Sequence, residues 1–259
     1  MGQAPENTLA SFSLALKLGA DAIELDVHLS QDGEVVVIHD DRLERTTNGR
    51  GLVRDFSFAE LKRLDAGSHF NEAFGNERIP SLGEVFEVLA RRVPVFVEIK
   101  NNPMPYAGIE QRVIQAAREA GMLDQIQIIS FDHPTVKRTR EACSDVATAP
   151  LYIGRPLDAV SIARAAGASA LGPHWSSVQA LDVRLAHRAG LSVHPWTTSD
   201  PAVVRQLLAM DVDSITTNHP DRVAEALGRK LDDSADQQPG ARTAPELLTV
   251  HTFAGDETD

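Results

Sequence analysis

The chain has 259 residues and a formal net charge of −12, with 25 Lys and Arg against 37 Asp and Glu. That length suits one large domain, and the acidic balance argues against a nucleic-acid partner and against electrostatic binding to an anionic membrane. No apolar run is long enough to cross a bilayer, so we expect no stable membrane insertion. The single cysteine, Cys143, rules out an internal disulfide framework and fits a cytoplasmic location. The oligomeric state is left open.

The first predicted element is a helix that begins near Leu9. Either Asn7 or Thr8 can cap its free N–H groups, and Gly19 ends it. A strand, Ala22–His28, follows. In a chain that alternates strands and helices, a strand should precede this first helix, and none is written there.

Strand-like runs alternate with amphipathic runs along the rest of the chain. The predicted strands are Ala22–His28, Val95–Lys100, Gln127–Phe131, Thr148–Ile153, Ala170–His174, Ser192–Thr197 and Ser214–Asn218. The helical stretches between them are Glu110–Ala120, Pro134–Ala142, Leu157–Ala166, Val178–Ala189 and Pro201–Met210. This alternation predicts an α/β fold with a parallel sheet. A (β/α)8 TIM barrel needs one strand more than these, so its first strand is the one that this chain lacks.

One segment interrupts the alternation. Asp32-Gly33 joins the strand Ala22–His28 to Val35–His39, and a connection that short predicts an antiparallel hairpin. The residues from about 40 to 80 then form an insertion after the second barrel strand, of a length typical of a lid or binding cap. We therefore predict a barrel domain over residues 1–229 that includes this insertion, and a flexible acidic tail over residues 230–259.

Three carboxylates occupy strand positions that share a face. Glu24 and Asp26 are two residues apart, and Glu98 and Lys100 repeat that spacing on the next parallel strand. Adjacent like charges need compensation, either from salt bridges or from a divalent cation such as Mg²⁺ or Ca²⁺. Active sites of barrels lie at the carboxyl ends of the strands, which favours a cation site with Lys100 near a phosphate oxygen.

Other polar and aromatic residues fall at predicted strand ends. His39 is a candidate general acid or base, because imidazole exchanges protons near neutral pH. His174 and Trp196 could shape a substrate pocket or simply pack. The chain contains no G-x-S-x-G elbow, no G-x-G-x-x-G and no P-loop, so metal-assisted chemistry is favoured over the alternatives.

The sequence resembles the glycerophosphodiester phosphodiesterase family. The stretches that carry the resemblance are APENTLASF, GADAIELDVHLSQDGEVVVIHD, LERTTNGRGLV, LDAGSHF, ERIPSLGEV, FVEIK, ISFD, HPWTTSD and ITTNHPD, in order from residue 4 to about 221. The resemblance implies a TIM barrel that hydrolyses small-molecule glycerophosphodiesters to glycerol 3-phosphate and an alcohol with one divalent cation. It further implies Glu24, Asp26 and Glu98 as metal ligands, His39 as a catalytic histidine and Lys100 near the phosphate.

The family pattern resembles H-R-G-x-x-G-x-A-P-E-N-T, and this chain begins inside it. The resemblance implies a pair of acid–base histidines, of which only His39 is present here. The second one, the histidine of this pattern, falls four residues before Met1, so we expect Met1 to be an internal methionine of a longer reading frame. Two other functions stay open: a catalytically impaired protein that binds phosphodiesters or metal, and an enzyme resembling lysophospholipase D. An exposed patch around Phe56, Phe58, Phe70 and Phe74 would favour the latter.

Overall fold

A computed structural model describes residues 2–228 and 247–250. The strands in these ranges are β1 Ala22–Leu29, β2 Val35–Val37, β3 Val95–Ile99, β4 Ile126–Ser130, β5 Ala147–Tyr152, β6 Ala170–Pro173, β7 Ser192–Val193, β8 Ser214–Thr217 and β9 Leu247–Val250. The α-helices are α1 Leu9–Lys17, α2 Phe58–Leu61, α3 Leu82–Leu89, α4 Ile109–Glu119, α5 His133–Ala142, α6 Ala159–Ala166, α7 Ala180–Arg188, α8 Pro201–Ala209 and α9 Pro220–Ala226.

The parallel strands pair in the order β7–β6–β5–β4–β3–β1–β9–β8, and β2 pairs antiparallel with β1. Backbone hydrogen bonds connect the two ends of this order. Asp213 N–H donates to Val193 O at 3.0 Å, Thr216 N–H to Pro195 O at 2.9 Å and Thr198 N–H to Thr216 O at 3.1 Å. Helices follow the parallel strands and cover the outer face. The predicted α/β fold of the TIM-barrel class is therefore confirmed.

The seventh strand is shorter than predicted. The sequence predicts Ser192–Thr197, whereas regular pairing covers only Ser192–Val193. Pro195 has no N–H and cannot continue the ladder. The backbone stays close to β6 beyond it, because Trp196 N–H still donates to Pro173 O at 3.2 Å.

The structure decides which residue caps the first helix. The Thr8 hydroxyl accepts a hydrogen bond from Ser11 N–H at 3.2 Å, which satisfies an N–H group that the helix itself cannot. Asn7 instead adopts a positive φ of 52°. In that conformation its side chain points away from the helix and reaches β1.

The predicted antiparallel hairpin is confirmed. β2 runs antiparallel to β1 with Val27 opposite Val37. The insertion has a small core of its own: Val36, Ile38, Leu43, Val53, Leu61, Ala66 and Ile79, with Phe56, Phe58 and Leu64 packed against them. Phe56 and Phe58 therefore pack against this core, and Phe70 is the exposed member of the predicted patch, at 38%. Phe74 is partly buried and lies edge-on against Phe70, with ring centroids 5.8 Å apart.

Most of the predicted tail over residues 230–259 lies outside the described residues. Residues 247–250 are the exception and differ from the prediction, because they form β9. This strand lies between β8 and β1, with Thr249 opposite Ala22 and Val250 opposite Thr217. Two neighbouring sheet edges with unpaired N–H and C=O groups favour an inserted strand. β9 thus lies between β8 and β1, where the sequence predicted a barrel strand but offered no residues for it.

The two faces of β1 determine where the site lies. Ile23, Leu25 and Val27 pack outward into the main apolar core with α1, α3 and α4. The alternate residues, Glu24 and Asp26, therefore point into the barrel. Among the described residues, no helix is both long and apolar enough to span a membrane.

Candidate active site

Three acidic side chains meet inside the barrel. Glu24 is 2%, Asp26 0% and Glu98 4% exposed. Each offers a carboxylate oxygen, and these oxygens lie within 4.8 Å of one another. The register of β1 and β3, which puts Asp26 beside Glu98, explains the cluster. The three predicted metal ligands are thus brought together, and oxygen donors of this kind suit a hard divalent cation.

Lys100 lies against this cluster. Its Nζ is 3.0 Å from Asp26 Oδ1 and 2.8 Å from Glu98 Oε1. Burial works against the charge of Lys100, but Asp26 and then Glu98 outweigh it and raise the pKa of the ammonium group. Lys100 is therefore a fixed positive charge. The salt bridge that the sequence suggested is present, and it compensates only part of the acidic cluster.

The acidic cluster is electrostatically strained. Burial, then the charge of Asp26, then that of Glu98 raise the pKa of Glu24 well above its usual value, against smaller opposing effects of Lys100 and His39. Burial likewise raises the pKa of Glu98, although Lys100 opposes it. One ammonium group faces three carboxylates, so a divalent cation at this position would relieve the remaining repulsion.

Asn7 orients one of the carboxylates. Its Nδ2 donates to Asp26 Oδ2 at 2.9 Å, and the backbone N–H of Asp26 donates to Asn7 Oδ1 at 3.4 Å. This pair links the turn before α1 to the middle of β1. From the sequence, Asn7 was predicted only as a candidate helix cap, and its place in the stretch APENT was the one signal of a further role.

His39 is held at two points beside the cluster. Its Nδ1 lies 2.7 Å from Asp40 Oδ1. Its backbone carbonyl accepts a hydrogen bond from His28 Nε2 at 2.9 Å, while the Tyr106 hydroxyl donates to His28 Nδ1 at 3.0 Å. Burial is the main cause that lowers the pKa of His28 to about 4, so His28 is neutral at pH 7 and can make both bonds.

A small pocket opens beside His39. Glu6, Asn7 and Thr46 line it together with His39. Glu6 and Arg45, which donates a hydrogen bond to it, were not among the site residues predicted from the sequence. Both occur in stretches that carry the family resemblance, and their spacing of 39 residues gives no sign that they meet.

His174 and Trp196 lie at strand ends beyond β6 and β7, in contact with each other. Their ring centroids are 5.1 Å apart, and Phe131 meets Trp196 at 5.2 Å. Trp196 Nε1 donates to Gly172 O at 2.9 Å, and its ring packs on apolar residues of the barrel interior. Both residues therefore have packing partners, and their predicted role in substrate binding stays a prediction.

The chain is similar in sequence to glycerophosphodiester phosphodiesterases of other organisms. The chain is 38% identical over 218 residues to a glycerophosphodiester phosphodiesterase of Caldanaerobacter subterraneus, covering 84% of this chain and 90% of that protein. It is 32% identical over 241 residues to one of Bacillus subtilis, covering 85% of this chain and 81% of the other.

Solved structures of phosphodiesterases are similar to this chain in both fold and sequence. An Oleispira antarctica phosphodiesterase in complex with the product sn-glycerol-3-phosphate superposes with a TM-score of 0.82 at 30% identity, covering 88% of this chain and 93% of that one. A glycerophosphodiester phosphodiesterase of Agrobacterium tumefaciens gives a TM-score of 0.75 at 31% identity, with coverage of 86% and 94%. The model of the glycerophosphoryl diester phosphodiesterase family matches residues 1–222, and this chain therefore belongs to that family of hydrolases.

Proposed function

We propose that this protein hydrolyses glycerophosphodiesters to glycerol 3-phosphate and an alcohol, using one divalent cation, Mg²⁺ or Ca²⁺. The observation that carries the proposal is the buried cluster of Glu24, Asp26 and Glu98, whose ligand oxygens lie within 4.8 Å of one another next to the ammonium group of Lys100. The product in the Oleispira antarctica structure, sn-glycerol-3-phosphate, supports the same reaction here.

Glu24, Asp26 and Glu98 would hold the cation. The donor set fits, because all three are carboxylates, and burial and then repulsion from the neighbouring carboxylates raise the pKa of both Glu24 and Glu98. A bound cation would neutralise charge that develops on the phosphate oxygens and polarise the phosphorus centre. Asn7 keeps the Asp26 carboxylate in one orientation for this purpose.

Lys100 and His39 contribute the remaining chemistry. The Lys100 ammonium group provides a second positive contact for a non-bridging phosphate oxygen. In the reaction, a bond forms between phosphorus and the nucleophile oxygen, and the bond between phosphorus and the alcohol oxygen breaks. His39 either takes the proton from the nucleophile or gives one to the departing alcohol, through the ring nitrogen that Asp40 does not hold, and the second histidine of the family's acid–base pair would make the other transfer. The nucleophile is water, or the glycerol 2-hydroxyl, which would give a cyclic phosphate that water then opens to glycerol 3-phosphate.

His174 and Trp196 would form one wall of the alcohol subsite. Two observations support this: both follow strands at the carboxyl end of the barrel, and His174 is only partly buried. Their mutual contact would give the wall a fixed shape.

The direct test is release of glycerol 3-phosphate from glycerophosphocholine with Mg²⁺ or Ca²⁺, and with EDTA as the metal-free condition. A chain with an H-R-G segment added before residue 1 serves as the comparison. We expect Glu98→Gln to abolish the metal-dependent rate and His39→Ala to lower it by about 10²–10⁴-fold. Glu87→Gln, an exposed carboxylate on α3, is the matched control and should leave the rate unchanged.

Full turnover in the His39→Ala and Glu98→Gln proteins would contradict this assignment of roles. Calorimetric binding of Mg²⁺ or Ca²⁺ without any turnover, in the chain and in its extended form, would instead favour the catalytically impaired binding protein.

A further inference from the structure

We infer that Arg45 is a positioning residue for His39, acting through Asp40, and that Glu6 anchors Arg45. The inference rests on the proposed role of His39 as an acid or base. It concerns a part of the molecule that the metal cluster does not use: four side chains linked in one chain of hydrogen bonds from the turn before α1, through the insertion, to the end of β2.

Asp40 is the junction of this chain. Its Oδ1 accepts from His39 Nδ1 at 2.7 Å and from Arg45 Nη2 at 2.9 Å, while its Oδ2 accepts from Arg45 Nε at 2.8 Å. Burial opposes ionisation of Asp40, but the bonds from His39 and Arg45 prevail and hold the pKa of that carboxyl below its usual range. Asp40 is therefore an ionised acceptor.

The guanidinium group of Arg45 binds Asp40 through Nε and Nη2, and it binds Glu6 through Nη1 and Nη2. Its Nη1 donates to Glu6 Oε2 at 2.8 Å and its Nη2 to Glu6 Oε1 at 2.6 Å. The Glu6 side chain is only 1% exposed, so the carboxylate of this pair is buried, while the Arg45 side chain is 39% exposed. A planar guanidinium group can bind two carboxylates bidentately at once, which the single ammonium of a lysine cannot do.

The arrangement dictates which nitrogen of the neutral His39 ring carries the proton. Because Asp40 can only accept, the proton of a neutral His39 ring must sit on Nδ1. Nε2 is then the nitrogen that exchanges a proton with substrate or nucleophile. His28 holds the backbone carbonyl of the same residue at 2.9 Å, so side chain and main chain are both fixed. Without Arg45, Asp40 could rotate away, and His39 would lose the partner that selects its tautomer.

The first test reads the tautomer directly and needs no turnover. Nitrogen-15 NMR of the histidine rings at alkaline pH should show His39 with its proton on Nδ1 in the parent chain. Arg45→Ala should give a mixture of both tautomers, and Glu6→Gln a smaller change in the same direction. Arg42→Ala is the matched control, since Arg42 is an exposed arginine of the same insertion, paired with Glu44. An unchanged His39 tautomer in Arg45→Ala would overturn the inference.

The second test is a double-mutant cycle on glycerol 3-phosphate release from glycerophosphocholine. Arg45→Ala should lower kcat by about 10- to 100-fold, a part of the whole acid–base contribution, with little change in KM. In the His39→Ala background the same substitution should cost nothing further, because its effect passes through that ring. Arg45→Lys, which keeps the charge and is the safer variant for folding, should restore only part of the rate.

Equal losses from Arg45→Ala with and without the His39 side chain would overturn the inference, because Arg45 would then act independently of His39. A parent protein that releases no glycerol 3-phosphate would count against the proposed function instead, and the tautomer measurement would still decide the role of Arg45.

Discussion

Asn7 and Asp26 are joined by two hydrogen bonds, one from the Asn7 amide to the Asp26 carboxylate at 2.9 Å and one from the Asp26 backbone N–H to the Asn7 carbonyl oxygen at 3.4 Å. The same asparagine adopts a positive φ of 52°, a conformation that asparagine tolerates better than most residues. A turn at the start of the chain thereby orients a candidate metal ligand in the barrel interior.

Replacing Asn7 separates these two roles. Asn7→Gly keeps the backbone conformation and removes the amide, so we expect a cation affinity about 10–100-fold weaker and a loss of about 1–3 kcal/mol of stability from the buried Asp26 groups that lose a partner. Asn7→Ala should weaken cation affinity similarly and destabilise the fold by about 1 kcal/mol more than Asn7→Gly does, because alanine is strained at positive φ. Calorimetric titration with Mg²⁺ or Ca²⁺, together with urea unfolding, checks both. Unchanged affinity in Asn7→Gly would show that Asp26 needs no help from the turn.

Replacing Lys100 should expose the repulsion in the cluster. Lys100→Met removes the buried charge that contacts Asp26 and Glu98, so the metal-free protein should lose about 3–5 kcal/mol of stability. An added divalent cation should then raise the melting temperature more in Lys100→Met than in the parent, because it supplies the missing positive charge. The measurement is thermal unfolding with EDTA and with excess Mg²⁺. An equal response of both proteins to Mg²⁺ would contradict the prediction.

Glu24 should make the metal-free protein less stable as pH rises. Its pKa in the fold is raised, mainly by burial and then by Asp26 and Glu98, from an ordinary value of 4.5. Above pH 4.5 the unfolded chain therefore releases this proton while the folded chain retains it, and stability falls with rising pH. Glu24→Gln should be more stable than the parent at pH 7 in EDTA and should lose cation binding. Urea unfolding at pH 4.5 and 7 tests it, and a less stable Glu24→Gln would count against it.

His194 should make the folded protein less stable as the pH falls, which is opposite to the effect of Glu24. Burial lowers its pKa from 6.5 to about 4, and its ring nitrogens bond to the hydroxyls of Ser192 and Ser214 at 2.9 and 2.8 Å. As pH falls below 6.5 the unfolded chain takes up a proton before the folded chain does. The free energy of unfolding that His194 contributes is fully present above pH 6.5. It should therefore fall by about 3 kcal/mol as the pH is lowered from 6.5 to 4.

His194→Gln removes this titration and keeps a polar side chain near Ser192 and Ser214. Its unfolding free energy should therefore vary less between pH 6.5 and 4 than that of the parent. Urea unfolding at several pH values over that interval provides the comparison, and the same pH dependence in both proteins would contradict the prediction.

Periodic patterns predicted well wherever local rules apply. The two-residue spacing of Glu24 and Asp26 was enough to place both carboxylates on one face of a strand, and the Asp32-Gly33 turn was enough to predict the antiparallel hairpin. Alternation of strands and helices predicted the barrel class, and proline explains why β7 ends early. These features depend on residues close together in the chain, so they can be predicted from a single sequence.

Contacts between distant segments were beyond that reasoning. From the sequence, either Asn7 or Thr8 could cap the first helix. The packing of the first turn against β1 is what directs Asn7 to Asp26 and leaves Thr8 as the cap. Nothing in the spacing of Glu6 and Arg45 indicates their bidentate pair, because a guanidinium group finds its carboxylates through the fold. Residues 247–250 read as part of a polar tail, yet they pair with β1 and β8.

The sequence by itself determined the fold class, the family and the three carboxylates with their lysine, because strand periodicity and short motifs are local properties. Only the tertiary structure decided how His39 is held and which strand lies between β8 and β1. Hydrogen bonds across tens or hundreds of residues depend on where the folded backbone brings their partners, and no local pattern encodes that distance.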